Sequence, residues 1–139
     1  MTTDTATALR EWARGMLTTE AATELLIGSF RGRFAAVGNP WVQPNDDDGA
    51  WIDFDAIPSQ VGGLSGGERA LILIAASIGG STQVNLGDGV SSLDRRHLGL
   101  VLAALAHANG SHRHGTAGFE TPAGGSVHAT SHICFPWPE

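Results

Sequence analysis

A chain of 139 residues with 42% hydrophobic and 16% charged side chains can bury one core without disulfide staples, and its composition is not that of a disordered segment. Its net charge is −6, and its eight basic residues are all scattered arginines with no lysine, which disfavours a nucleic-acid binder because phosphate must be met by clustered cations. No stretch approaches the ~18 apolar residues of a membrane span, the polar start MTTDTATALREW has no signal-peptide apolar region, and a single Cys134 leaves no internal disulfide. The expected setting is cytosolic (an infected host cell included) or the inside of an assembled particle such as a virion.

From Asp4 the segment DTATALREWARGML sets Leu9, Trp12, Ala13 and Met16 at helical spacing, one apolar stripe. Gly15 weakens its end, and Thr18 or Thr19 can cap a second helix, TTEAATELLIGSFRGRF, with Ala22, Leu25, Leu26 and Phe30 facing inward. Two aromatic runs follow, Trp41-Val42-Gln43 and Trp51-Ile52-Asp53-Phe54, split by the polar turn NDDDG; this predicts a hairpin, with Pro44 at a strand end. Alternation sends Trp51 and Asp53 to one side and Ile52 and Phe54 to the other. DAIPSQVGG reads as a short helical turn capped by Asp55.

Residues 65–79 give the strongest helix, apolar nearly all round and therefore expected at the centre of the fold. TQVNLGDG reads as a strand or loop, and SSLDRRHLGLVLAALAHANG as a helix with Leu93, Val101, Leu105 and Ala108 inward and Asn109-Gly110 as its stop. The remainder is rich in Gly, His and Pro, with one short strand near SVHATSHICF. The expected fold is a small helix-dominated α+β domain: four main helices packed around 65–79, a helical core over 1–110 with a hairpin at 41–54, and an extension over 111–139.

The run LSGGE at 64–68 carries two readings. Ser65 followed by Glu68 fits the S-x-x-E capping box, in which each side chain satisfies the other's orphan backbone N–H, and SSLD at 91–94 repeats the pattern as S-x-x-D. LSGGER, an apolar helix and LGDGVSSLD also resemble the signature, Walker B and D-loop order of ATP-binding-cassette ATPases. That resemblance implies that Ser65, Gly66 and Gly67 approach a γ-phosphate, that Asp88 stands for the catalytic glutamate and Asp94 for the D-loop aspartate, and that His132 echoes the switch histidine. The metal-holding aspartate falls on Gly87, and a chain without lysine cannot supply the phosphate-binding G-x-x-x-x-G-K-[ST] loop. What the resemblance leaves is a signature-like module acting in trans on a nucleotide held elsewhere; the capping box explains the same letters without a partner.

A second resemblance covers residues 38–114. The order GNPW…W, GGLSGGER, an AAS-type helix, SLDRR and HANGSH is similar to small proteins from phages of actinobacteria, in keeping with an arginine-only, GC-rich-looking composition. It implies phage origin and brings no activity or site residues with it.

Of the six histidines, five lie from His107 onward. His128, His132 and Cys134 share a face if SVHATSHICF is extended, and with His112 or His114 as a fourth ligand they would suit zinc, in a metal-binding domain or small metalloenzyme. None of these spacings matches a standard zinc motif, and solvated loop histidines are the plainer account. Of the four tryptophans, core packing is the default for Trp12 and Trp51. Trp41, Trp51, Phe135 and Trp137 are the candidate interaction residues. The FPWP tail is too stiff for a helix, so Trp137 either docks as an extended arm on a partner or folds back on its own core. No residue pattern marks a catalytic centre, and the expected function is a non-enzymatic phage accessory or interaction protein. Its partner would be a host protein, another phage protein or a second copy of the chain.

Overall fold

The computed structural model describes residues 4–111 in full, the backbone of two strands at 115–120 and 126–131, and residues 136–138. Five α-helices are present among them: α1 (Thr5–Ala13), α2 (Leu17–Gly28), α3 (Gly66–Gly79), α4 (Leu86–Ser91) and α5 (Arg95–Asn109). Two 3-10 segments, Phe30–Ala35 and Phe54–Gln60, bring the helices to seven, against four main ones expected. Strands β1 (Val42–Pro44) and β2 (Ala50–Ile52) form an antiparallel hairpin, as do β3 (Gly115–Glu120) and β4 (Ser126–Ser131). The architecture is a small helix-dominated α+β fold.

Asp4 opens α1 by accepting the Thr7 N–H at 3.3 Å, and Ala8, Leu9 and Ala13 are its buried residues. Met16 leaves the expected stripe: it is 49% exposed and occupies the N-cap position of α2, which has no side-chain cap. The predicted threonine cap is absent because α2 starts one residue before Thr18. Glu20 instead reaches back from the first turn to accept the Gly15 N–H at 2.7 Å, and Gly15 makes the bend at φ +94°.

The second helix also ends early. At Phe30, Arg31 and Gly32 φ is +47°, +58° and +76°, so the chain runs left-handed for three residues where a continuous helix to Phe34 was expected. That conformation costs an L-residue roughly 1–2 kcal/mol, and packing must hold it. His97 of α5 does so: its ring stacks on Phe30 at 4.1 Å between centroids, and its Nε2 accepts the Phe30 N–H at 3.4 Å. The other ring nitrogen, Nδ1, lies 2.8 Å from Asp94 Oδ1, which fixes the tautomer as Nδ1–H.

In the hairpin, Val42 pairs with Ile52, Gln43 with Trp51 and Pro44 with Ala50, so proline closes the strand as anticipated. Ile52 and Phe54 are buried and Trp51 points away from them, in keeping with the alternation. The segment TQVNLGDG is neither strand nor loop throughout, since Asn85 accepts the Asp88 N–H and starts α4. Glycines at 87 and 89 hid this helix from sequence reasoning because they are poor helix formers. At 91–94 the expected S-x-x-D box is replaced by a simpler cap: Ser91 closes α4, and Asp94 itself caps α5 by accepting the His97 N–H at 2.8 Å. Leu93 and Ala108 pack against the core and Val101 is buried, but Leu105 is 41% exposed. Gly110, left-handed at φ +87°, ends α5.

The core is organised about α2 rather than α3 alone. α2 touches α1, the 30–35 segment, α3 and α5, while α3 packs on α2, α4, α5 and the 54–60 segment. Leu25, Leu26, Leu71, Ile72 and Val101 are fully buried where these helices meet.

Candidate functional site

The LSGGER turn is built almost wholly from its own contacts. Glu68 N–H donates to Ser65 Oγ at 3.3 Å, and Ser65 N–H donates to Glu68 Oε1 at 3.1 Å, so the capping box is complete. The Ser65 N–H, then its hydroxyl, then the Arg33 guanidinium hold the Glu68 carboxyl below the usual carboxylate range. Arg33 reaches the other Glu68 oxygen at 2.8 Å. Arg69 folds back over the preceding turn, donating to the carbonyls of Leu64 at 3.1 Å, Val61 at 3.4 Å and Gly62 at 3.5 Å. A side chain at Gly67 would stand 3.2 Å from the Ser92 carbonyl oxygen, so the second glycine admits the end of α4. Each distinctive letter of the motif except Gly66 thus has a structural occupation.

Gly66 borders a groove of about 370 Å³ between α3 and α4, lined also by Arg69, Leu73, Val84 and Asp88. Its charge pattern is poor for phosphate: Arg69 is engaged by carbonyls, while the Asp88 carboxylate and the Ser92 carbonyl present negative charge. Asp88 lies inside α4, and Asp94 is bound to His97. The first cause holding Asp94 below the usual carboxylate range is the His97 backbone N–H, with the ring next.

The tryptophans divide. Trp41 takes the core alternative, 3% exposed with its indole N–H donating to the Phe34 carbonyl at 2.8 Å. Trp137 folds back: its indole N–H donates to His107 Nδ1 at 3.1 Å, and its ring meets the imidazole edge-on at 6.0 Å. Trp51 departs from the expected core packing, being 37% exposed on the outer side of β2. It leans on half-buried Trp12 of α1, centroids 6.5 Å apart, and Trp12 in turn meets Phe54 at 6.4 Å.

Around this pair the surface is acidic. Residues 38–64 include Asp46, Asp47, Asp48, Asp53 and Asp55 and no Arg, Lys or His. Two adjoining depressions flank the hairpin turn. One, of about 230 Å³, is lined by Glu11, Trp12, Asp47 and Asp48; the other, of about 370 Å³, runs between Val37, Val42 and Pro44 and shares Ala8, Asp48 and Ala50 with the first. Val37 on its rim is 77% exposed.

A third feature had no forewarning in the sequence. Between α1, α2 and α5 lies a polar cleft of about 190 Å³ lined by Arg10, Arg14, Glu20, Thr23, Glu24 and His107. Arg10 is paired with Glu24 through contacts of 2.6 and 3.3 Å, and His107 Nε2 lies 2.8 Å from Glu20 Oε1. Glu20 and His107 are 87 residues apart, and nothing in their local sequence announces the pairing.

The zinc candidates His112, His114, His132 and Cys134, the switch-histidine counterpart His132 and the interaction candidate Phe135 lie outside the described residues, as does the side chain of His128. Among the described residues no three of His, Cys, Asp and Glu converge as metal ligands, and no helix is long and apolar enough to cross a membrane.

The features together define a small α+β protein with an aromatic, acid-rimmed face and a separate polar cleft. No protein-family model, no curated protein and no solved structure matches the chain.

Proposed function

We propose that the protein is a non-enzymatic interaction module whose α1–hairpin face docks a basic segment of a partner protein. The observation that carries this is Trp51, held outward on β2 against Trp12, within a 27-residue stretch (38–64) that has five aspartates and no cation. An exposed indole on a rigid strand is a ready interface anchor, and it attracts Arg or Lys through its ring face. The surrounding carboxylates would steer such a segment and reject acidic ones. A chain of phage origin would meet this partner in the infected host or in its own particle; that origin rests on the sequence resemblance alone.

Selection from a random displayed-peptide library tests the reading directly. Arg- or Lys-bearing peptides are expected to be enriched, to lose about tenfold or more in affinity on Trp51→Ala, and to weaken with added salt. Trp51→Ala gives up its contact with Trp12 and is expected to lower the melting temperature by several degrees, so binding is compared well below the unfolding range of both proteins. Peptides without cationic bias, or peptides that bind the Trp51→Ala protein equally well, would overturn the proposal.

A further inference from the structure

From the left-handed corner to the hairpin turn the surface forms one continuous strip. A depression of about 240 Å³ is lined by Gly32, Ala35, Ala36 and Val37 beside the start of α1. It shares Thr5 and Val37 with the depression of about 370 Å³ that runs on past Val42 and Pro44 to Asp48. The middle of the strip is aliphatic, and Val37 stands 77% exposed there. The fold does not bury it, although removing apolar area from water is favourable. The ends of the strip differ in charge. Arg31, next to Gly32, is exposed and makes no hydrogen bond or ion pair among the described residues. Arg96 lies across the corner, donating to the Gly28 carbonyl at 3.4 Å. The carboxylates near this end are engaged: Asp4 caps α1, Asp94 binds His97 and Glu68 pairs with Arg33. At the other end Asp46, Asp47 and Asp48 are exposed, within residues 38–64 that hold no cation.

A strip with an apolar centre and unlike ends is complementary to itself. A two-fold axis through Val37 lays Arg31 of one copy against Asp48 of the other, and Asp48 of the first against Arg31 of the second. Both contacts form together, in the isologous arrangement that closes at two copies. A basic segment of another protein would match only the acidic end of the strip, whereas a second copy matches both ends and the centre. We propose that the strip from Arg31 through Val37 to Asp48 is a self-association surface whose occupant is a second copy of this chain. The charges set the register of the two copies, and the aliphatic centre supplies the area removed from water. Trp51 and Trp12 do not line the strip, which meets their face only at the hairpin turn, so the proposal does not rest on the reading of that face.

Sedimentation velocity of the full chain over a concentration series tests this. A reversible monomer–dimer equilibrium is expected, weakening with added salt because the paired charges are exposed. Arg31→Glu and Asp48→Arg each set like charges against one another and are expected to weaken the dimer tenfold or more. Arg31 and Asp48 are both left-handed at φ +58°, so arginine at position 48 takes a backbone that it already takes at 31. Mixed in equal amounts, the two variants are expected to recover the dimer, since each introduced charge then faces its opposite. Val37→Asp alters a side chain outside the core, so its melting temperature is expected to stay near the parent's while its dimer is lost. Trp51→Ala is expected to leave the dimer unchanged and Arg31→Glu to leave basic-peptide binding unchanged, so either proposal can fail alone. A chain that stays monomeric at millimolar concentration or grows into open polymers does not have this interface. Nor does one whose dimer is indifferent to Arg31→Glu and Val37→Asp, or whose two charge variants fail to pair when mixed.

Discussion

At the scale of single residues, the start of α3 shows how far four consecutive positions can specify a structure. Ser65 and Glu68 need only each other's backbone, so their interaction was legible from a spacing of three. Ser65→Ala is expected to lower stability by about 1 kcal/mol. It should also flatten the acid limb of the stability profile. Glu68 has a folded pKa below its ordinary value, so its contribution is fully present above the ordinary glutamate range and is lost as pH falls through the lowered folded value. The substitution removes the Ser65 hydroxyl, the second of the groups holding Glu68 down, and keeps the backbone N–H, so it shrinks that loss in part. Thermal melts of parent and variant between neutral pH and about pH 3 would show the two curves converging in acid; parallel curves would contradict the assignment. The tryptophans were not legible in the same way. Trp41 and Trp51 both lie in short aromatic runs next to turns, and what separates them is the Phe34 carbonyl, available to the first alone. That carbonyl is placed by the left-handed corner at 30–32, which no local pattern revealed.

At the scale of elements, periodicity located α1, α2, α3 and α5 and the β1–β2 pair, and it misjudged the joints between them. α2 stops at Gly28 because Ser29 is extended and the chain then turns left-handed at Phe30, Arg31 and Gly32. Gly79 and Gly80 were read as a helix stop, but they are also a contact surface. A methyl at Gly79 would lie 2.7 Å from the Phe54 ring and 2.8 Å from the Ala22 side chain, and one at Gly80 would lie 2.7 Å from Asp55 Oδ1. The absent side chains let the 54–60 segment and α2 close on the end of α3. Gly79→Ala, a helix-favouring exchange on propensity, is therefore expected to destabilise by about 1–3 kcal/mol through overpacking. Denaturant unfolding would measure it; a stabilised variant would mean that this end of α3 is more loosely packed than the distances imply.

At the scale of the whole molecule, α2 is the common neighbour of α1, α3 and α5, although α3 has the more continuous apolar sequence. α3 meets as many elements as α2, so the central place is shared between them, and which element touches which is not written in hydrophobicity. The polar cleft escaped sequence reasoning for the same reason: Arg10, Glu20 and His107 come from three helices and share no local signature. The left-handed corner belongs to this scale as well, since the imidazole that holds Phe30 is 67 residues further along the chain. His97→Leu is expected to lower stability by about 1–3 kcal/mol, because it leaves the Phe30 N–H without its acceptor. Its effect should fall on the unfolding rate with the refolding rate little changed, and stopped-flow kinetics would show this; slowed refolding would mean that the corner forms early. The chain's route from α2 into the hairpin is therefore latched by a residue made long afterwards. As the polypeptide emerges during synthesis, the corner at Phe30 waits for its imidazole until α5 has been made.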